Sequence, residues 1–374
     1  MNYDLLIVGA GPVGCTIAER AATTLGWTSL IVEKRQHIAG NCYDRFDENG
    51  ILIHQYGPHY FRTNNISLLN YLSQFTDWIP GSYIVNSSVH GQLYPFPINR
   101  STIEQFFGVK LDSESVLKFM ESKRIPCESP TNSEDFVLSR VGREMYEAFY
   151  LGYTLKQWGM HPKDLNASVC GRIPIRSNSD NRYVDHRYQL MPRHGYTKMI
   201  SNMINSERIK VLLNTDYREV QASLKPKVAT VYCGPIDEYF AFKHGRLGWR
   251  SLKFEFVHEK KESVQPCVQL NYPNDFDYTR SVEFKHVTKQ THPHTTIAYE
   301  YPAAEGDPYY PIPSDENAAL FKKYAADAEI ETKAKKIYFA GRLAQYKYIN
   351  MDEAFESALN TFDKMKSELT NAGN

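Results

Sequence analysis

The sequence predicts a mixed α/β fold, in which a helical insertion and an antiparallel sheet interrupt a domain built on a parallel sheet. Three observations predict it. A glycine-rich strand–turn–helix–strand unit opens the chain. A strand, a glycine and an amphipathic helix close it. Between them a helix-rich stretch is followed by a strand-rich one.

The opening unit is the most specific. Asp4 to Val8 is a short apolar run, as expected of a buried parallel strand. Gly9-Ala10-Gly11-Pro12-Val13-Gly14 follows, then a helix from Cys15 to Leu25 and a second strand over Ser29–Val32. Glu33 lies 19 positions beyond Gly14. Gly9 permits the tight turn, Gly11 lets backbone approach a pyrophosphate, and Gly14 lets the helix pack close to the strand. The helix N-terminus offers free N–H groups to phosphate, and Glu33 can accept from an adenosine ribose. In this order the parts define a Rossmann-like dinucleotide-binding domain. Gly40-Asn41 forms a second glycine turn that suits a long dinucleotide held extended, FAD. The Lys34-Arg35 pair leaves a 2′-phosphate, and so NADP, as the alternative.

Residues 100 to 165 read as helices. Ser101-Thr102-Ile103-Glu104 fits a capping box, and 112–121 and 133–153 carry apolar residues at helical spacing. Val228–Tyr232 is a buried strand leaving through the turn Gly234-Pro235-Ile236-Asp237. Residues 251–257, 267–272 and 295–299 alternate as sheet strands with one exposed face. Lys336–Ala340 is a strand followed by Gly341-Arg342, where the arginine can neutralise phosphate or flavin charge. The helix from Asp352 to about Leu369 returns the chain to its first domain, and the polar tail from Asn371 to Asn374 is expected to fray. The expected domains are 1–78 with 190–232 and 330–374 for the dinucleotide, 99–166 as a helical lid, and 79–98 with 167–189 and 233–329 for the sheet.

Composition narrows the class. Of 374 residues, 42% are hydrophobic and 23% charged, and Lys plus Arg equals Asp plus Glu, so neither disorder nor a global pull toward nucleic acid or anionic membrane is implied. No apolar run approaches the ~20 residues of a membrane span, and no basic, small-residue leader opens the chain, so a cytoplasmic protein is expected. Six scattered cysteines without a CxxC imply neither disulfides nor a metal site. Tyrosine is abundant, at 26 residues, which suits sites for sugars, bases or planar cofactors.

Several blocks then carry a resemblance: His54-Gln55-Tyr56-Gly57-Pro58-His59-Tyr60-Phe61, Gly152-Tyr153-Thr154-Leu155-Lys156-Gln157-Trp158-Gly159, and Arg172-Ile173-Pro174-Ile175-Arg176. Arg187-Tyr188-Gln189, Tyr278-Thr279-Arg280, Asp307-Pro308-Tyr309-Tyr310-Pro311 and Gly341-Arg342-Leu343-Ala344-Gln345-Tyr346-Lys347-Tyr348 follow in order. Along essentially its whole length the chain resembles bacterial UDP-galactopyranose mutases. The resemblance implies a homodimeric isomerase with reduced FAD, kept reduced by NAD(P)H or a reductase. In that family the flavin N5 attacks the anomeric carbon of a nucleotide sugar and expels the nucleotide. The sugar ring opens and recloses as the furanose, with no net redox change.

The resemblance also implies roles. Arg176 and Arg280 would bind the diphosphate, with Tyr153, Tyr188, Tyr310 and Tyr348 hydrogen-bonded to it. Phe149 and Tyr150 would stack the uracil, Thr154 would bind the substrate, and Trp158 would belong to a mobile lid and contact the sugar or nucleotide side. His59 would contact the flavin. Gly9, Gly11, Pro12, Val13, Gly14, Glu33, Lys34, Arg35, Gly40, Asn41, Gly341, Arg342 and Met351 would hold the FAD. Two positions in the catalytic set depart from the family pattern. Arg62 stands where a second histidine is usual, and Asn350 where an aspartate is. Arginine could accommodate an N-acetyl group or pair with a carboxylate, so UDP-N-acetylgalactosamine stands beside UDP-galactose as a candidate substrate. Tyr83 replaces a nucleotide-contacting asparagine. An amine-oxidase-like flavoenzyme and a non-catalytic nucleotide-sugar-binding protein are the remaining alternatives.

Overall fold

The structure, a computed structural model, describes residues 2–370; Asn371 to Asn374 lie outside the described residues. Its five-stranded parallel sheet has the order Ile209–Leu212, Ser29–Val32, Leu5–Val8, Ala229–Tyr232, Ile337–Phe339. Strands from the beginning, middle and end of the chain thus share one sheet. Every residue of Leu5–Val8, Ser29–Val32 and Ala229–Tyr232 is buried, as strands covered on both faces require.

The glycine turn joins this sheet to the first helix, Pro12–Arg20, with Pro12 at its first position. The expected helix to Leu25 continues only as a wider turn, Ala21–Leu25, that ends at Gly26 with φ +66°. Gly14 is fixed by sterics. A Cβ there would lie 2.2 Å from the Gly9 carbonyl oxygen and 2.9 Å from Ile7 Cγ2. Gly14→Val is therefore expected to abolish FAD retention, read as loss of the visible flavin absorbance from purified protein. The last helix, Met351–Thr370, packs on Pro12–Arg20 through Phe355, Ala358, Phe362 and Met365, all buried.

Helices fill the stretch after residue 99: Arg100–Phe107, Ser115–Lys123, Ser133–Tyr146 and Gly152–Trp158. The capping box sits two residues earlier than the sequence suggests. Asn99 caps the first of these helices and exchanges bonds with Thr102, so Ser101 and Glu104 lie inside the helix. A seven-stranded sheet carries the rest, in the order Tyr310–Pro311, Trp249–Glu259, Thr295–Ala303, Arg280–Glu283, Gln269–Asn271, Val85–Val89, Gln92–Phe96. It is not wholly antiparallel, because Gln269–Asn271 runs parallel to Val85–Val89. Two further elements carried no strong sequence signal. One is a small sheet of Phe61–Thr63, Tyr188–Pro192 and Trp78–Pro80. The other is the helix Asp315–Lys335, which buries only Tyr324 and Ala328.

Candidate active site

A cavity of about 500 Å³ runs from the glycine turn to the start of the last helix. At one end the backbone closes tightly: Gly40, with φ +55°, brings its chain against Gly11, where a Cβ would lie 3.1 Å from the Gly11 Cα. Glu33 is buried, and its carboxylate accepts from the backbone N–H groups of Ala10 and Arg35, both at 2.9 Å. Arg35 is already engaged. It donates to Asn41 Oδ1 and Asp307 Oδ2, each at 2.9 Å, and its guanidinium lies 4.3 Å from the Tyr56 ring centre. Lys34 also faces Asp307, at 3.9 Å. Asp307 thus offsets both cations, which argues against a 2′-phosphate site.

The other end is an anion site built across sheet strands. Arg280 and Glu300 are cross-strand partners. Arg280 Nε lies 2.9 Å from Glu300 Oε2, while Glu300 Oε1 is buried without a partner. Burial pushes the Glu300 carboxyl up, and the adjacent guanidinium opposes that shift. Arg280 also reaches the Tyr310 hydroxyl at 3.4 Å. Tyr310 stacks at 5.9 Å on Tyr348, whose ring carries Arg172 at 4.8 Å and Arg342 at 5.0 Å. Arg342 is aimed by the carbonyls of Tyr309 and Ile349.

Burial alone would raise the Tyr348 phenol, yet Arg172, Arg342, Arg62 and Arg280 hold it below the usual tyrosine range. Tyr348 keeps 36% of its surface accessible and lines the cavity. An incoming diphosphate takes over those guanidiniums and so favours the neutral phenol. Nucleotide affinity is expected to fall as pH rises through the lowered value, in a window starting below the ordinary tyrosine pKa of ~10. Tyr348→Phe should remove that step from a plot of UDP Kd against pH, and a step that persists in the variant would assign it to another group.

The motif helix Gly152–Trp158 is fastened to this site from two sides. Lys156 donates to the carbonyls of Tyr272, Asp275, Phe276 and Tyr278, in the loop that leads into Arg280. Arg250, paired across strands with Tyr310, donates to the Gln157 carbonyl at 2.9 Å and the Lys156 carbonyl at 3.3 Å. Trp158 consequently rests 6.2 Å from Tyr310, ring to ring, and is buried.

His59 lines the same cavity. Its Nδ1 meets the Gly57 carbonyl at 2.9 Å, and its backbone N–H donates to His54 Nδ1 at 3.0 Å. Burial drops its pKa to about 3, with His54 and Arg342 adding to the effect, so His59 is neutral at physiological pH. It can therefore donate or accept a hydrogen bond without adding charge.

The residues expected to hold the dinucleotide, Gly9, Gly11, Pro12, Val13, Gly14, Glu33, Lys34, Arg35, Gly40, Asn41, His59, Gly341, Arg342 and Met351, all line the cavity, and so do Arg62, Arg280, Tyr310, Tyr348 and Asn350. Other expectations are corrected. Arg176 is turned away from the cavity: its guanidinium is held by the Arg182 carbonyl at 2.7 Å and Asp185 at 2.6 Å. The cavity-lining arginine of that motif is Arg172, four residues earlier. Likewise Tyr183 lines the cavity, whereas Tyr188 lies under Arg187 outside it. Phe149 and Tyr150 are core residues, packed on Tyr94 and Phe106 and on Phe96 respectively. Thr154 is buried outside the lining. Tyr153 and Trp158 stand behind it, near Arg280 and Tyr310. Glu300, Glu353 and Tyr60 belong to the lining and were missed. Among the described residues no cluster of His, Cys, Asp or Glu is arranged to hold a metal ion, and no helix is long and apolar enough to cross a membrane.

The glycine cradle, the buried ribose-side carboxylate and the arginine-lined far end fit FAD in extended form. Fold and site together define a dinucleotide-dependent enzyme with an anion-binding pocket at the far end of its cofactor cavity. Comparisons with known proteins sharpen this class. Residues 7–75 match the model of an NAD(P)-binding Rossmann-like domain, and residues 148–348 match the model of UDP-galactopyranose mutase. A probable UDP-galactopyranose mutase of Klebsiella pneumoniae is 37% identical, covering 99% of this chain and 96% of that protein. A dTDP-fucopyranose mutase of Escherichia coli is 34% identical, covering 95% and 96%. The crystal structure of a reduced UDP-galactopyranose mutase superposes with a TM-score of 0.74 over 98% of this chain and 96% of that one, at 16% identity, which shows the shared fold. The chain belongs to the UDP-galactopyranose mutase family: it is an isomerase that uses FAD.

Proposed function

We propose that the protein interconverts the pyranose and furanose forms of UDP-galactose. The observation that carries this reading is the convergence of Arg172, Arg280 and Arg342 with Tyr310 and Tyr348 at the end of the dinucleotide cavity. Guanidinium forks suit a diphosphate, which must be held while it departs from the sugar and returns to it. When bound and reduced, FAD would supply the nucleophile, with no net redox change. The chain's own groups then position and stabilise. Arg280, braced by Glu300, and Arg172 carry the diphosphate charge. Tyr348 and Tyr310 donate hydrogen bonds, and the neutral His59 sits beside the glycine turn at Gly57 without competing for anion. Trp158 and Tyr153, on the helix that Lys156 and Arg250 fasten, back the cavity wall near Tyr310 and Arg280.

A second reading, UDP-N-acetylgalactosamine as substrate, is favoured by Arg62 in the cavity wall. Both are tested by offering UDP-galactofuranose and UDP-N-acetylgalactosamine to dithionite-reduced enzyme and separating the products by anion exchange. Conversion with reduced but not oxidised flavin is expected. Failure on both, with FAD bound and reducible, would point to another nucleotide sugar, and stoichiometric consumption of NADPH or oxygen would point to an oxidase. The family resemblance also supports a cytoplasmic homodimer re-reduced by NAD(P)H or a reductase, which sedimentation and anaerobic flavin bleaching would test.

A further inference from the structure

The loop between strands Gln269–Asn271 and Arg280–Glu283 is organised around a cation. Lys156 Nζ donates to the backbone carbonyls of Asp275, Phe276 and Tyr278 at 3.0, 3.1 and 3.2 Å, and to that of Tyr272. An ammonium has three protons, so its bonds are shared among these four oxygens. Strand pairing closes the base of the loop, where the Tyr272 N–H donates to the Thr279 carbonyl at 2.9 Å. Above it, among the described residues, no backbone–backbone hydrogen bond joins residues 273–278 to one another. Phe276 sits at φ +58°, a conformation that is unfavourable for a bulky residue and needs a compensating bond. Its ring rests on Tyr278 at 4.8 Å, yet the residue is 60% exposed, so little of it is buried to hold that backbone. Asp275 and Asp277 flank the ammonium and favour its charged form, against the effect of burial.

Convergent carbonyl oxygens are the ligand set of a monovalent cation, whose hydration shell they replace. Lysine fits such a set because its ammonium is a compact point charge on a flexible stem. The planar fork of arginine would not meet oxygens that converge on one point. The cage also joins two walls of the anion end. On one side the loop runs through Thr279 into Arg280. On the other, helix Gly152–Trp158 carries Tyr153 toward Arg280 and Trp158 toward Tyr310. The joint is close. A Cβ on Gly152 would lie 2.4 Å from the Pro273 carbonyl oxygen, Asn274 Nδ2 donates to the Ala148 carbonyl at 2.9 Å, and Thr279 Oγ1 donates to Gln157 Oε1 at 3.4 Å. Lys156 itself is half-buried, so its place is reachable from solvent.

We propose that residues 272–278 form a monovalent-cation site whose resident cation is the Lys156 ammonium, and that Lys156 is thereby a positioning residue that sets Arg280 against Tyr153 and Trp158 for the diphosphate. Vacated, the cage takes a small alkylammonium ion. The positioning role rests on reading the cavity as a nucleotide-sugar site; the cage does not. The test uses FAD-loaded Lys156→Ala, with propylammonium chloride as the part of the side chain that the substitution removes. Tetramethylammonium chloride at equal concentration supplies charge without an N–H donor. The UDP Kd of the variant is expected to weaken about tenfold and its kcat to fall about tenfold, the effect of losing a hydrogen bond to a charged group. Propylammonium should restore most of both saturably and raise the thermal midpoint, and tetramethylammonium should do neither. Lys156→Arg, charged but forked, should stay impaired. A Lys156→Ala within about twofold of wild type in Kd and kcat, or one relieved equally by both salts or by neither, would overturn the proposal. If Lys156→Ala does not fold even when prepared in propylammonium, Asn274→Ala decides. It frees the loop from Ala148 with Lys156 in place and should weaken UDP binding about threefold, and an unchanged Kd would overturn the positioning role. If the wild-type enzyme neither binds UDP nor converts a UDP-sugar, the substrate reading fails by itself. The cage is then judged by the thermal midpoint of Lys156→Ala in the two salts, with the same outcomes for and against.

Discussion

Arg172→Ala is expected to lower kcat/KM by about 100- to 1,000-fold, whereas Arg176→Ala leaves it within about tenfold. The two arginines belong to one short motif and differ in what they touch. Arg172 lines the cavity over the Tyr348 ring and is one of the cations that depress that phenol. Removing one preorganised donor from a site where charge develops costs ~2.7–4 kcal/mol, or 10²–10³ in rate. Arg176 is buried, and its guanidinium closes the 176–185 loop through the Arg182 carbonyl and Asp185. Losing it removes two hydrogen bonds that tie this loop, so its penalty, about 1–3 kcal/mol, belongs mainly to stability. Steady-state kinetics with reduced enzyme, set beside thermal unfolding, separates the two. An inactive Arg176→Ala with an active Arg172→Ala would reverse the assignment.

That pair also shows where sequence ceased to be informative. The dinucleotide end was legible because each residue has a distinct steric or charge task at a fixed offset: a Gly14 that cannot carry a Cβ, a buried Glu33 at the end of the second strand. The anion end depends on Arg172–Tyr188, most of which has neither helical nor strand period. Pro174 lies between the two arginines, and no periodicity tells which of them, or which of Tyr183 and Tyr188, faces inward. Phe149 and Tyr150 were misplaced for a different reason. They lie in a turn of helix within a stretch of apolar helical spacing, a pattern that fits a packed core face as well as a stacking one. Glu353 had a signal in hand, since an acid three residues after Asn350 in a helix's first turn is a cap partner. The contact of Asn350 with Arg62 is a matter of tertiary structure, 288 residues apart in sequence, and no local pattern carries it. The helix Asp315–Lys335 announced itself only at its start, where Ser314 caps it.

Glu300→Ala is the second large effect, and its expected signature is a split between turnover and nucleotide affinity. Glu300 is 1% exposed and is the carboxylate that faces Arg280 across the sheet. Removing one partner of a buried pair costs ~3–5 kcal/mol, because the remaining charge stays in a poorly solvated place. Two consequences oppose each other at the site. Arg280 loses the carboxylate that holds it in place by charge at 2.9 Å, which lowers kcat by about 100-fold or more, since rate depends on geometry held to within an ångström. Yet Arg280 also loses a competitor for the diphosphate, and the pocket gains net positive charge. The second effect acts on ground-state binding, so the UDP Kd is expected to stay within about threefold of wild type or to tighten, and thermal stability should fall in the absence of nucleotide and recover when UDP is added. Glu300→Gln keeps the shape and one acceptor, and should fall between wild type and Glu300→Ala in both turnover and stability. Should UDP affinity instead collapse more than tenfold while kcat survives, Glu300 would be maintaining the strand pairing that builds the pocket, and the bracing of Arg280 would have to be assigned to Tyr310 and to its strand neighbour Asn271.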